Sequence, residues 1–527
     1  MTQYRSRITI ILVLLLSTFS VHTVTTAEGQ TTQDKMHLRL ASSKPIASVD
    51  PADGDPALVT QLFAGLTEID PETFEPKPSL ARSWEVSEDG TVYTFFLRKN
   101  ILWSNGTPIT SHDFVATLHK YLDGFEAPKD LLLLKNVQSL FDGELEDKSL
   151  LGFQALDDHI LQFTLEHPAP LFPVIVSFLH YRPVPVQVIE AKGKEAWTHP
   201  KNIVVSGPYT LQRWRKKKVL ILAKNPAYFD AAKVKIAKIS YAILPSSKFA
   251  LKMYEENALD IIPVSKRYQL SAIRNMLSIR EQLAEKPLLE TWYLGFNQSR
   301  PPVDQPLVRK AIAMAIDKEF LLKKILRLMG HPSNTFTAPP SFGAVDVDSK
   351  AEEIGIPFNP EQGQQRLFEA GYHNKTLPKI YISGPADVVL KPLKLMLERN
   401  LPIKIGLYGE DEEAGDPEDA HIFLSFKQAV YPDAHYFLSE FDPASNANKL
   451  HWNNENYTDL LNKAFRQHDV KQRKELYQAA EHILCQEEIA VIPLFYREIA
   501  FLTTPQLQWT YSPTGTQQLW TWSFTDN

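Results

Sequence analysis

The sequence predicts a mixed α/β fold divided into more than one lobe, and three observations carry that expectation. Thr291–Asn297 is an aromatic, apolar run suited to one buried strand, followed by a Pro-Pro pair and then by apolar residues at helical spacing. Strand and helix signals of the same kind recur along the rest of the chain. The 527 residues also exceed the roughly 250–300 at which a single core stops growing.

Composition narrows the class. Hydrophobic content of 44% and charged content of 22% are ordinary globular values, so a disordered chain is not expected. Thirty-seven prolines against 21 glycines point to rigid corners rather than flexible linkers. Met1–Ala27 reads as a cleaved export signal: Arg5 and Arg7 precede the apolar run Ile8–Leu16, and Ala27 is a small residue suited to cleavage. That run is far shorter than the roughly 20 residues needed to span a bilayer, and no Cys follows it to carry a lipid. Cleavage would take the net charge from −6 to −8, which offers no case for nucleic acid. Cys485, the single cysteine, lies in Leu476–Ile489 on a helical face with Leu476, Ala480, Ile483 and Leu484, which predicts a buried, inert thiol.

In chain order, His37–Ala41 alternates like an edge strand, and the loop Ser42–Pro56 leads to a short helix, Leu58–Leu66, stopped at Gly65. Glu88-Asp89-Gly90 is a hairpin turn between Trp84–Val86 and Thr91–Leu97. Thr110 or Ser111 caps a helix reaching Tyr121, and Trp84 and Trp103 are expected in the core. Ile160–Leu165 is a strand, and Ser206-Gly207-Pro208 a tight turn into the strand Tyr209–Trp214. Arg213–Lys218 puts five basic residues around Trp214; a solvated hairpin turn is the expectation, a nucleic-acid or membrane patch the alternative.

After the Pro301-Pro302 corner, Asp304 is the expected cap of a helix with Pro306 in its first turn, and Asp317 the cap of a second helix, Lys318–Leu328. Asn359–Ala370 reads as a helix closed by Gly371, Lys379–Ser383 as a strand, Pro385–Asn400 as an amphipathic helix and Ile403–Tyr408 as a strand. Gly409–Asp419 holds seven acids in eleven residues, a solvated loop without the spacing of a calcium-binding hand. Ile422–Phe426 is a strand, and Tyr431-Pro432-Asp433 a turn that opens the helix Ala434–Leu438. The chain lacks Gly-x-Ser-x-Gly, Ser-x-x-Lys and His-Glu-x-x-His, and its 15 His have no zinc-site spacing. The sequence therefore predicts no enzyme, no metal site and no cofactor.

Several stretches are specific in wording as well as in pattern. They are TWYLGFN (Thr291–Asn297) with Pro301-Pro302 and LVRKAIAMAID (Leu307–Asp317); LARSWEVSEDGTVYTFFLRKNILWSNGTPIT (Leu80–Thr110); SGPY (Ser206–Tyr209); and NPAYFD (Asn225–Asp230). With them the chain resembles the bacterial extracellular solute-binding proteins of family 5, the oligopeptide- and dipeptide-binding components of ABC importers. The resemblance implies a two-lobed periplasmic binding protein of type II, cluster C, with a cleft, a hinge and an extra subdomain. It places lobe I in 28–63, 181–288 and 495–527, the extra subdomain in 64–180 and lobe II in 289–494, with crossings near Val205–Tyr209 and Leu289–Asn297. It implies a monomer without a lipid anchor, free in the periplasm, that captures peptides or peptide-like solutes and delivers them to an inner-membrane ABC permease and its ATPase.

The same resemblance proposes the ligand contacts. Ser43, Asp53 and Gly54 lie in the cleft loop; Trp292, Tyr293 and Asn297 lie on the aromatic strand. The strand ending in Phe426, Lys427 and Gln428 would pair with an extended peptide backbone, and the turn with Val430, Tyr431 and Asp433 would meet the ligand's end. The family's ammonium-binding Asp falls at Val430, which cannot pair a buried cation. Asp433 is the nearest carboxylate, with a helix cap as its other reading, and Lys427 could face a ligand carboxylate or solvent. A carrier or sensor for a non-peptide ligand is the alternative that Val430 raises.

Overall fold

The computed structural model describes residues 36–42, 44–124, 129–244, 246–264, 267–345, 355–372, 377–409, 416–443, 445 and 448–525. The expected leader, Ser43 and the acids Glu410–Glu413 lie outside them.

The strand Leu283–Phe296 is the spine of a seven-stranded mixed sheet. It runs antiparallel to Ile422–Gln428 on one side and to Val491–Thr503 on the other. Ile380–Ser383 and Ile405–Leu407 extend the first flank in parallel, and Ile261–Val264 extends the second. The aromatic run is continuous rather than alternating because both faces of this strand are covered. Leu294 and Phe296 pack with Val308, Ala311 and Ile312, whereas Leu289 and Tyr293 on the opposite face pack with Phe336, Phe437 and Phe441. Gly295 is required by close approach, since a Cβ there would stand 2.6 Å from a Leu450 methyl.

The strand stops where expected. The Asn297 side chain accepts hydrogen bonds from the backbone N–H and hydroxyl of Ser299, at 3.2 and 2.6 Å. The helix that follows is Pro306–Met314, and its cap is Gln305 rather than Asp304. Pro306 at the first helical position holds its predecessor in extended backbone, which makes that predecessor the cap. Buried Arg309 ties the corner by donating to the carbonyls of Val303 (3.1 Å) and Asp304 (2.8 Å). Beyond Asp317 the expected second helix winds over Phe320–Leu326 as a π-helix and ends at Arg327 in the left-handed region.

The other half of the molecule holds two four-stranded sheets. In one, His37–Ser42 is the edge strand beside Lys238–Ile243, followed by the hairpin Val219–Lys224 and Tyr209–Arg215, whose turn is the basic stretch. The other is an antiparallel sheet of Ala81–Val86, Val92–Leu97, Ile160–Thr164 and Phe153–Asp157. Helix Ser111–Leu122 starts in a Thr110/Asp113 capping box. One core joins both sheets through Phe95, Phe163 and Phe172 and reaches Leu519 and Trp522 near the end of the chain. Trp103 is buried and Trp84 packs against Phe95, while Cys485 is buried within Ile483–Glu487. No helix of the described residues is long and apolar enough to cross a membrane.

A candidate ligand-binding cleft

A cavity of about 780 Å³ opens between the two halves. Its first wall starts at Asp55, Pro56 and Ala57, where the Asp55 carboxylate caps helix Pro56–Leu62 by accepting from the Ala57 N–H at 3.0 Å. The wall continues through Glu68, Ile69, Asp130, Phe178, Leu179, His180 and Arg182, and through Ser512–Trp520 near the end of the chain. The second wall is Val430, Tyr431, His435, Tyr436, Ser439 and Phe465. The walls touch where the Tyr431 and Phe178 rings stand 5.4 Å apart.

The ionisable groups of the first wall are largely matched among themselves. Arg182, only 2% exposed, donates to both Glu68 carboxylate oxygens at 2.9 and 3.0 Å and to the Ser177 carbonyl at 2.8 Å. That bidentate pair satisfies two charges that would be costly to bury alone. His180 Nδ1 lies 2.9 Å from the Asp130 carboxylate. Asp55 is exposed and, among the described residues, is the one carboxylate of the cavity lining without a cationic partner. On the second wall, burial first and the Arg473 charge second push the imidazole of His435 down to about 4. Its ring lies 4.5 Å from that of Phe465, and it presents a neutral face at pH 7.

Of the residues expected at the ligand, Val430 and Tyr431 line this cavity. Val430 is 53% exposed. Asp53 and Gly54 form the turn just ahead of Asp55, both donating backbone N–H groups to the Asp50 carbonyl at 3.1 and 2.6 Å. Trp292 is stacked between Phe426 and Phe495, with ring centroids 5.2 and 5.8 Å away, and its indole N–H donates to Glu290 at 2.6 Å. Phe426 is 43% exposed on the open side of that stack, and Gln428 is exposed at the strand's end. Tyr293 is buried and its hydroxyl donates to Glu440 at 2.7 Å, while buried Asn297 holds the corner described above. The Lys427 ammonium is 2.8 Å from Glu440 and 4.5 Å from the centre of the Tyr436 ring.

Asp433 does not reach the cavity. It is 3% exposed, caps helix Ala434–Leu438 by accepting from the His435 N–H at 2.9 Å, and pairs with Arg473 at 2.8 Å. Burial pushes its carboxyl above the usual carboxylate range, against the pull of the Arg473 charge. Sequence reasoning missed Asp55, Glu68, Asp130, His180, Arg182, His435, Tyr436, Phe465 and Trp520. For Asp55 a signal existed in the Asp-Pro step that opens a helix. Arg182 and Glu68 are 114 residues apart, so no local pattern could have joined them.

Residues 75–449 match the model described as bacterial extracellular solute-binding proteins, family 5 Middle. The chain is 29% identical over 486 residues to the probable deoxycholate-binding periplasmic protein YgiS of Escherichia coli strain K12, covering 85% of each. It is 28% identical over 532 residues to the periplasmic oligopeptide-binding protein OppA of Salmonella typhimurium, covering 97% of this chain and 95% of that one. Among solved structures, the unliganded open form of the periplasmic murein tripeptide-binding protein MppA superposes with a TM-score of 0.80 at 25% identity. That match covers 93% of this chain and 98% of MppA.

Proposed function

This chain belongs to the bacterial extracellular solute-binding proteins of family 5, and from that membership we propose that it captures peptides in the periplasm for an ABC importer. Its lobes, divided as the sequence suggests, close about the crossings near Val205–Tyr209 and Leu289–Asn297, and it hands the solute to a membrane permease without covalent chemistry. Residues 1–27 direct export and are removed, and the carrier acts as a monomer.

The observation that carries this proposal is the cavity between two walls from distant parts of the chain, mostly apolar and large enough for a short peptide. A second feature supports it. Ile422–Gln428 is paired along its length with the long strand on one side, but on the other only Ile422 and Phe423 meet a neighbouring strand among the described residues. Ser425–Gln428 therefore offers a free edge to an extended peptide backbone, which gives affinity without reading side chains. Asp55 is the group we assign to the ligand's ammonium, with Val430, Tyr431 and Tyr436 against its side chains.

The test is native mass spectrometry of protein purified undenatured from periplasm, with release and identification of the bound mass. A ladder of short peptides is the expected result, and a single non-peptide mass would overturn the proposal. Asp55→Asn is expected to weaken binding of a free-amine peptide about tenfold, or about 1.4 kcal/mol, and to leave an N-acetylated peptide unaffected.

A further inference from the structure

The hairpin joining Tyr209–Arg215 to Val219–Lys224 contributes no residue to the cavity and carries a charge that ligand capture does not use. Arg213, Arg215, Lys216, Lys217 and Lys218 are all exposed, and none of them has an ion-pair partner among the described residues. The sheet register gathers more charge at the same end. Val219 stands opposite both Arg215 and Ala242. The Ile243 N–H donates to the Lys218 carbonyl at 3.0 Å, and the Leu244 N–H to the Ser42 carbonyl at 2.9 Å. From that edge one segment runs on to exposed Lys44, and another to exposed Lys248 in helix Ser247–Glu255.

Aromatic groups accompany these cations. Phe249, next to Lys248, is 48% exposed. Trp214 is half-buried, with the Lys216 ammonium 5.3 Å from its ring centre. A cluster of like charges on a chain of net charge −6 is left to solvent and counterions unless an anionic surface meets it. Cations with an exposed Phe match the chemistry of a bilayer interface, where basic side chains meet lipid phosphates and aromatic rings enter the headgroup layer.

We propose that this end of the sheet docks on anionic phospholipid, holding the carrier against a membrane face. The experiment is co-sedimentation of the protein purified from periplasm with vesicles of phosphatidylcholine alone or with about one-third phosphatidylglycerol. Binding is expected to the anionic vesicles only, and to disappear in 1 M salt, where the Debye length is about 3 Å. Lys216→Glu/Lys217→Glu/Lys218→Glu should lower the partition coefficient at least about tenfold with the melting temperature and ligand binding unchanged. Lys217→Glu alone guards against misfolding and should give a smaller loss, while Phe249→Ser should weaken binding without changing its salt dependence. Equal partition into the two vesicle types, or a triple variant that binds like the parent, overturns the proposal. Retention only on inner-membrane vesicles, abolished when their proteins are stripped by protease, overturns it in favour of an acidic protein partner.

Discussion

The two walls of the cleft carry charge in different places. On the first wall Glu68, Asp130, His180 and Arg182 line the cavity and are matched in pairs, and Asp55 stands open at the rim. On the second wall the pairs Asp433–Arg473 and Lys427–Glu440 lie outside the cavity lining, which is made by Val430, Tyr431, His435, Tyr436, Ser439 and Phe465. Under the proposed function, Asp55 of the first wall would meet a ligand's charge and the second wall would cover its apolar surface. Charged pairs thus line the cavity on one side and brace a turn outside it on the other.

Four measurements test that contrast. The largest effect is expected at the buried pair of the second wall. Asp433→Ala leaves the Arg473 guanidinium, with its side chain 9% exposed, without its partner, and should lower unfolding free energy by about 3–5 kcal/mol. The double change Asp433→Leu/Arg473→Met should recover most of that in urea denaturation. Asp433→Ala with unchanged stability but lost ligand binding would show that the second wall also reads charge.

Next is acid sensitivity. The folded-state value of His435, about 4, lies below the ordinary 6.5, so the folded protein binds fewer protons than the unfolded chain in that window. Stability from the neutral imidazole is fully present above about 6.5 and is lost as pH falls toward 4, up to about 3 kcal/mol. The difference in melting behaviour between the parent and His435→Gln across this range measures it, and parallel curves would remove His435 from the account.

A smaller effect is expected at Lys427→Met. It removes a half-buried ion pair and a contact over the Tyr436 ring, for about 1 kcal/mol in thermal unfolding. The smallest effect on stability belongs to Val430→Asp, within about 0.5 kcal/mol because the position is exposed. Calorimetry on this variant should find tighter binding of a free-amine peptide and no change for its N-acetyl form. Equal gains for both would mean that the second wall does not face the ligand's end.

Much of the local structure was legible in the residues. The Thr-Trp-Tyr-Leu-Gly-Phe run, the Glu88-Asp89-Gly90 turn (Gly90 φ +71°), the helix begun near Asn359 and the helix Ala434–Leu438 each follow from period, turn chemistry or helix boundaries within a few neighbours. The predicted cap at Asp304 missed by one residue because Pro306 restricts the residue before it, a rule more specific than the general preference for Asp. The predicted strand covered only the buried end of a 14-residue element, since its first half is partly exposed and carries little apolar pattern.

The residues alone gave the α/β class and the order of elements, because patterning, proline corners and caps act over short distances, and the family showed in the resemblance of whole stretches such as Thr291–Asp317. The tertiary structure alone decided which charges line the cavity. Arg182 meets Glu68 across 114 positions and Arg473 meets Asp433 across 40. A carboxylate's role depends on whether such a distant cation reaches it, so Asp433 became a buried structural group while Asp55 remained open.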